Sequence, residues 1–135
     1  MKDQYLFVYG TLRREGGGEM YHLLARHSDF VGEATYQGRL YLVSYYPGII
    51  PSDDPSDIVY GEVYRLSNPS LVLARLDEYE ECAPGFDMPT EYVRLCQEIR
   101  LSSGEMVCAW MYIYNLPTDA HERLLSGDFL GIGTR

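Results

Sequence analysis

The order of strand-like and helix-like segments in this sequence predicts an α+β domain with a curved, mostly antiparallel sheet. Three observations support this fold class. A dense apolar run opens the chain, several alternating segments follow it, and only short stretches carry apolar residues at helical spacing. The length of 135 residues is ordinary for one domain, so residues 1–135 are expected to form a single unit.

The N-terminal half begins with the most strand-like segment of the chain. Residues 5–9, YLFVY, form a nearly continuous apolar run, which is typical of a strand covered on both faces. Residues 19–26 carry apolar side chains at helical spacing and predict a short helix. Residues 30–42 predict one or two strands, and residues 46–48, Tyr-Pro-Gly, predict a turn. Residues 58–66 alternate well enough for a further strand.

The C-terminal half is predicted to contain a helix, a hairpin and a second short helix. Residues 68–79 begin with Asn and Pro, a cap residue and a favoured first helical residue, and then carry an apolar stripe. Residues 91–101 and 106–114 are predicted as two strands joined by a turn at residues 102–105. The second strand is wholly apolar and is expected to be central in the sheet. Residues 117–125 are expected to be helical.

Composition and charge exclude several classes of function. The net charge is −9, which argues against nucleic acid and anionic membranes as partners. No apolar run approaches the roughly 20 residues that span a bilayer, and residues 1–4 lead directly into a strand, so no signal peptide is expected. Cys82, Cys96 and Cys108 are odd in number and widely spaced. We therefore expect reduced cysteines packed in the core of a cytoplasmic protein.

The first candidate for chemistry is the stretch Tyr9-Gly10-Thr11-Leu12, where the opening strand ends. A strand that ends at glycine exposes successive backbone N–H groups, which can hold a carboxylate or a developing oxyanion. The Thr11 hydroxyl could add a donor. Considered alone, these four residues are explained more simply as an ordinary turn.

The second candidate is the acidic end of the predicted helix over residues 68–79. Asp77, Glu78, Glu80 and Glu81 place four acids in five residues, although the helix dipole and mutual repulsion disfavour them there. Glu80 follows the apolar Leu76 by four residues and therefore faces the interior. Burial would raise the pKa of its carboxyl group and suit it to general base catalysis. A solvated helix end is the alternative.

Other familiar catalytic patterns are absent from the sequence. It has no P-loop, no nucleophile elbow, no zinc-protease HExxH and no dinucleotide-binding glycine pattern. His22, His27 and His121 are scattered, and no Cys/His cluster suggests zinc. The acidic residues 52–57 lack calcium-loop spacing and are expected to form a solvated loop. No metal or cofactor is therefore expected.

Taken in order, these features resemble the γ-glutamylcyclotransferase-like family. The family's strand-borne YGT/SL turn corresponds to residues 9–12, and its LDxxEG-type stretch corresponds to residues 76–80. Its Tyr-x-Arg corresponds to residues 92–94, and the tyrosine-rich strand that follows corresponds to residues 110–114. A late small-Gly-Asp-aromatic segment is found at residues 126–129. The resemblance covers nearly the whole chain.

The resemblance implies a small mixed, mostly antiparallel β-barrel with flanking short helices. It also implies a cofactor-free cyclotransferase that releases 5-oxoproline from a small-molecule γ-glutamyl amine or γ-glutamyl peptide. Glu80 would be the general acid/base, although Glu81 stands where the family usually has glycine. The substrate-binding residues implied are Tyr9, Gly10, Thr11, Leu12 and Tyr112.

Two other classes of function remain open from the sequence. One is a non-catalytic binding module of the same fold, whose pocket holds a small amino-acid-like ligand; a glutamate at position 80 favours the enzyme over it. The other is an acidic interaction protein without a pocket. The identity of the leaving amine and the oligomeric state are not encoded in any recognisable motif. Substrate specificity is expected to come from residues 13–18 and 84–89.

Overall fold

The computed structural model describes residues 3–9, 19–43, 46–80, 82, 85 and 88–128. These residues form seven strands and two helices. In chain order the elements are β1 (Gln4–Val8), α1 (Glu19–Arg26), β2 (Ser28–Leu42), β3 (Pro47–Pro51), β4 (Ile58–Leu66), α2 (Pro69–Tyr79), β5 (Tyr92–Leu101), β6 (Met106–Tyr114) and β7 (Glu122–Arg123).

Five of the strands close into a mixed barrel. Their order is β2, β4, β1, β6, β5, and β5 returns to pair with β2. The pairs are antiparallel except that of β1 with β6, in which Leu6 lies beside Trp110. Strands β3 and β7 pair with opposite edges of the last residues of β2. The predicted α+β class is confirmed, as is the mixed barrel with flanking helices that the family resemblance implies.

Strand β1 is apolar on both faces because it separates two buried layers. Phe7 packs among side chains from all five barrel strands, in the barrel interior. Leu6 and Val8 point the other way and pack with residues of α1 and α2 on the barrel's outer face. Burial of such side chains contributes about 1.5–3 kcal/mol each relative to exposure. Strand β6, which the sequence predicts to be central, lies between β1 and β5, and β1 itself lies between β4 and β6.

Helix α2 lies on the outer face of the barrel and carries the acidic segment at its end. Val72, Leu73 and Leu76 are its buried residues, and Pro69 begins it as predicted. The side chain of Asn68 makes no capping hydrogen bond, so this part of the prediction is wrong. At the other end, the backbone N–H of Glu80 donates to the carbonyl of Leu76 at 2.8 Å. The last turn of the helix therefore positions Glu80.

The predicted helix over residues 117–125 is wrong, because this segment contains turns and the short strand β7. A helix this short is marginal without tertiary support, and here the tertiary contacts favour a strand. Arg123 donates to one oxygen of Asp57 at 2.6 Å, and Arg39 donates to the other at 2.9 Å. The solvated-loop prediction for residues 52–57 holds for residues 53–56, which are exposed, but not for Asp57, which is buried beneath the two arginines.

Two smaller predictions are also wrong. Pro47 and Gly48, expected in a turn, begin β3 instead. Cys96 and Cys108 are exposed, so the core prediction is wrong for these two cysteines, whereas Cys82 is half-buried and packs against the apolar cluster on the outer face of the barrel. Cys96 and Cys108 lie on the outward face of β5 and β6, beyond the part that α2 covers. Residue type alone could not show that this part of the face is left open to solvent.

Gly127 explains why the late small-Gly-Asp segment contains glycine. Its φ of +69° is a left-handed conformation that other residues rarely adopt. Its carbonyl accepts a hydrogen bond from the backbone N–H of Tyr60 at 2.8 Å, and a Cβ at this position would collide with the carbonyl oxygen of Ile58. The segment therefore closes against the first residues of β4.

Candidate active site

The sheet topology gathers the predicted site residues at one end of the barrel. Strands β1 and β6 run parallel and finish there, while the antiparallel β5 begins there. Tyr9 follows β1, Tyr92 opens β5, and Tyr112 lies near the end of β6. The C-terminal end of α2 brings Glu80 to these tyrosines.

Glu80 is a half-buried carboxyl group with an altered acidity. Burial raises its pKa to about 7, and the negative charge of Glu91 adds to the increase. The sequence predicts this increase in pKa, because Glu80 follows the buried Leu76 by four residues and so faces the interior. At neutral pH this group is divided between its proton-accepting and proton-donating forms.

Two buried tyrosines are within electrostatic reach of Glu80. The hydroxyl of Tyr9 donates to the backbone carbonyl of Tyr112 at 2.6 Å, and that of Tyr92 donates to the carbonyl of Pro47. Burial, together with the charge of Glu80, raises the pKa of Tyr9 and of Tyr92 well above the usual range. Both phenols are therefore neutral at physiological pH and lie buried at this end of the barrel.

Glu91 is a second carboxylate at this end of the barrel, and no sequence pattern indicates it. It precedes β5 and is half-buried. Its Oε2 accepts a hydrogen bond from the Tyr46 hydroxyl at 2.7 Å, and its backbone carbonyl accepts one from the N–H of Asn115 at 2.7 Å. The ring of Tyr46 lies 6.3 Å from that of Tyr92. Glu91 is thus held by segments far apart in the sequence.

Asp77 has a different role from its acidic neighbours. Arg94 binds its carboxylate in bidentate fashion, with Nε 2.7 Å from Oδ1 and Nη2 3.1 Å from Oδ2. The Tyr112 hydroxyl also donates to Oδ1, at 2.7 Å. The guanidinium group of Arg94 stacks on Trp110, 4.5 Å from the ring centroid. This ion pair joins the Asp of the LDxxE stretch to the Arg of Tyr-x-Arg, and it neutralises an acid that the helix end would otherwise disfavour.

Three of the six predicted site residues fall within the described part of the chain. Glu80, Tyr9 and Tyr112 lie at the same end of the barrel, and Tyr9 is hydrogen-bonded to Tyr112. The Tyr112 hydroxyl is directed to Asp77, while its backbone carbonyl faces Tyr9. The other three, Gly10, Thr11 and Leu12, lie outside the described residues, as does Glu81. All of the predicted roles in binding and catalysis remain predictions.

Cys82, which lies beside this cluster, is not an activated nucleophile. Burial raises the pKa of its thiol to about 11, and the charges of Asp77 and Glu80 add to the effect. A reactive cysteine needs a lowered pKa instead. Within the described residues, no three His, Cys, Asp or Glu side chains converge as metal ligands. Neither α1 nor α2, the helices of the described part, is long and apolar enough to span a bilayer.

Comparison with known proteins identifies the family. Residues 6–131 match the sequence profile described as gamma-glutamyl cyclotransferase, AIG2-like. The chain belongs to this family. YtfP of Escherichia coli K12, a gamma-glutamylcyclotransferase family protein, is 35% identical over 125 residues, which cover 93% of this chain and 95% of YtfP. The motif-based resemblance is thereby confirmed.

Solved structures of similar proteins share the fold. The solution structure of E. coli ytfP matches with a TM-score of 0.63 and 32% identity, over 96% of this chain and 99% of that one. The crystal structure of YkqA from Bacillus subtilis matches with a TM-score of 0.72 and 24% identity. That match covers 99% of this chain and 44% of YkqA, so this chain spans less than half of YkqA. At this identity the likeness to YkqA bears on the fold alone.

Proposed function

We propose that this protein is a γ-glutamyl cyclotransferase that releases 5-oxoproline from a γ-glutamyl amine or γ-glutamyl peptide. The observation that carries the proposal is Glu80, a carboxyl group whose pKa burial raises to about 7 at the end of α2. A general acid/base works best when its pKa lies near the operating pH. Membership in the gamma-glutamyl cyclotransferase, AIG2-like family supports the type of reaction.

The proton balance of the reaction requires one group that both accepts and donates. The α-nitrogen of the substrate is an ammonium group whose ordinary pKa is roughly 8, and its nitrogen must form the new bond to the γ-carbonyl carbon. The bond from that carbon to the leaving nitrogen then breaks. Two protons pass from the α-nitrogen to the leaving nitrogen, and Glu80 carries them one at a time. No cofactor enters this balance.

The remaining work of the enzyme is positioning. The attack is intramolecular, so the site gains most by holding the folded conformer of the substrate. The backbone N–H groups of Gly10 and Thr11 are proposed to stabilise the oxyanion that forms on the γ-carbonyl oxygen. Tyr9, fixed by its hydrogen bond to Tyr112, precedes them directly. Leu12 and Tyr112 are proposed to border the bound substrate.

The test compares Glu80→Gln with Glu78→Gln on a panel of γ-glutamyl amines. Glutamine is nearly isosteric but cannot accept the α-amine's proton, so Glu80→Gln should retain substrate binding and lose about 10²–10⁴-fold in turnover. Glu78 is exposed on the same helix, and its replacement should leave turnover unchanged. Release of 5-oxoproline, ligand binding and circular dichroism are measured.

Full turnover by a folded Glu80→Gln protein would contradict the proposal. A wild type that binds members of the panel but converts none of them would favour the binding module.

A further inference from the structure

We propose that Glu91 binds the α-ammonium group of the substrate and so selects γ-glutamyl compounds that carry a free α-amine. The proposal rests on the proposed function above, and it assigns to Glu91 a role in specificity that the sequence motifs do not indicate. Glu80 then deprotonates an ammonium group that Glu91 has already oriented.

Glu91 is held in place before any ligand binds. The Tyr46 hydroxyl donates to its Oε2 at 2.7 Å, and the backbone N–H of Asn115 donates to its carbonyl at 2.7 Å. The next residue, Tyr92, is buried and hydrogen-bonded to the carbonyl of Pro47. A carboxylate fixed in this way loses little conformational entropy when a ligand binds to it.

The negative charges of Glu80 and Glu91 are not balanced by a cation of the described residues. In the described part of the chain, burial and the charge of Glu91 account for the raised pKa of Glu80, and no cation opposes them. Arg94 is occupied by Asp77, and Arg39 and Arg123 are occupied by Asp57. Two carboxylates that no cation of the described residues neutralises repel each other, and an ammonium group bound between them would relieve that repulsion.

The other titratable groups around the pair do not supply this cation. In the described part of the chain they are the phenols of Tyr9, Tyr46, Tyr92 and Tyr114 and the thiol of Cys82, while the nearby His121 ring is hydrogen-bonded to the Tyr114 hydroxyl, 3.0 Å from its Nε2. Phenols and thiols carry either no charge or a negative one, so none can neutralise a carboxylate. A carboxylate offers about four lone-pair sites, so Glu91 can accept ammonium N–H donors in addition to the Tyr46 hydroxyl.

The substitution Glu91→Gln removes the negative charge but nearly preserves the shape of the side chain. The amide oxygen can still accept the Tyr46 hydrogen bond, so the local packing should persist. The probes are γ-glutamylmethylamide and glutarylmethylamide; the latter has no α-amine and cannot cyclise. Binding is measured in a Glu80→Gln background, in which the first compound is not consumed. Glu98→Gln, which removes an exposed carboxylate from the outer face of β5, is the matched control.

The Glu80→Gln protein should bind γ-glutamylmethylamide about 10-fold or more tightly than glutarylmethylamide, the size of a charge-assisted hydrogen bond. Adding Glu91→Gln should abolish this preference, whereas adding Glu98→Gln should preserve it. In the otherwise wild-type enzyme, Glu91→Gln should raise KM more than it lowers kcat. It should also move the acid limb of kcat/KM to lower pH, because the neighbouring charge that disfavours ionised Glu80 is gone. The shift of the acid limb reports only the charge of Glu91, whereas a purely structural role for Glu91 predicts no selective loss of the preference for the α-amine.

Loss of affinity for both probes to the same degree, or an unchanged preference, would overturn the proposal. The outcomes also separate it from the proposed function. If Glu91→Gln abolishes a clear preference but the wild type forms no 5-oxoproline, the ammonium site stands and the cyclotransferase proposal fails. If the wild type forms 5-oxoproline and Glu91→Gln keeps the preference, the cyclotransferase proposal stands and the role of Glu91 is refuted.

Discussion

Two carboxyl groups three residues apart, Asp77 and Glu80, have opposite surroundings. Asp77 is neutralised by the bidentate guanidinium group of Arg94, and it serves to anchor the chain. Glu80 is half-buried, and its burial, together with the charge of Glu91, raises its pKa to about 7. This difference in surroundings is the reason why Glu80, and not Asp77, is proposed as the acid/base. Because its surroundings disfavour the ionised carboxylate, Glu80 lowers the stability of the folded protein when it is ionised.

We predict that Glu80→Gln stabilises the protein above neutral pH. The pKa of Glu80 is about 7 in the folded state, above the value of roughly 4.3 for an unfolded chain. The folded state therefore holds this proton more tightly, and stability is lost as pH rises between those values. Glutamine does not titrate, so the advantage of the variant should grow from near zero at about pH 4 to at most roughly 4 kcal/mol at about pH 8.

The measurement is the free energy of unfolding in urea for wild type, Glu80→Gln and Glu78→Gln across this pH range. The exposed Glu78 should show little pH-dependent difference. An advantage of Glu80→Gln that is the same at both ends of the range would contradict the raised pKa.

At the scale of elements, the end of α2 is attached to β5 and β6 by a single cluster. Asp77 comes from the helix, Arg94 from β5, and Tyr112 and Trp110 from β6. Because Glu80 follows Asp77 by less than one helical turn, this cluster fixes the direction in which Glu80 leaves the helix. The attachment connects packing to the proposed chemistry.

We predict that Arg94→Ala lowers both stability and turnover. The pair is three-quarters buried or more, with side-chain exposures of 24% for Arg94 and 18% for Asp77. Leaving Asp77 without its partner should cost about 1–3 kcal/mol, and loosening of the helix end should lower kcat more than it raises KM. Lysine should not rescue it, because it cannot reproduce the bidentate contact.

Arg65→Ala is the control, because the Arg65–Asp29 pair is exposed, at 50% and 68%. Exposed pairs contribute about 0–1 kcal/mol, so this variant should resemble the wild type in urea unfolding and in 5-oxoproline release. Equal effects of the two substitutions on both measurements would refute the anchoring role of Arg94.

We predict that Gly127, where the chain packs against the first residues of β4, tolerates no side chain. Gly127→Ala and Gly104→Ala both place alanine at a positive φ, +69° and +94° respectively. A Cβ at Gly104 meets open space, whereas one at Gly127 collides with the carbonyl of Ile58. Both variants should lose about 1–3 kcal/mol through the backbone conformation, and Gly127→Ala should lose substantially more through the collision. Equal melting temperatures for the two variants would contradict the closure.

At the scale of the whole molecule, the barrel follows from patterns that the sequence displays. The apolar run before Tyr9, the alternation of β4 and the spacing of α2 all predict their elements, because each depends on local periodicity. The helix predicted for residues 117–125 does not form, because pairing with β2 and the Arg123–Asp57 ion pair outweigh a short helical pattern. These contacts join segments far apart in the sequence.

The candidate site shows the same division. The position of Glu80 on a buried helix face could be predicted from its spacing to Leu76. The contact between Glu91 and Tyr46 could not, because 45 residues separate them and neither lies in a recognisable pattern. The direction of the Tyr112 hydroxyl toward Asp77 likewise depends on how α2 docks on β6. Local periodicity shows which face is buried, but it does not show which side chains meet across elements.

The most direct test of Glu80 as the acid/base is the pH dependence of 5-oxoproline release by the wild type and Glu80→Gln. The wild-type kcat/KM should be bell-shaped, with an acid limb near pH 7 from Glu80 and a basic limb at about pH 8 from the substrate ammonium. Glu80→Gln should lack the acid limb, run about 10²–10⁴-fold lower near neutrality, and rise through about pH 8 as the free amine forms. A Glu80→Gln profile with the wild-type rate and the wild-type acid limb would contradict the account.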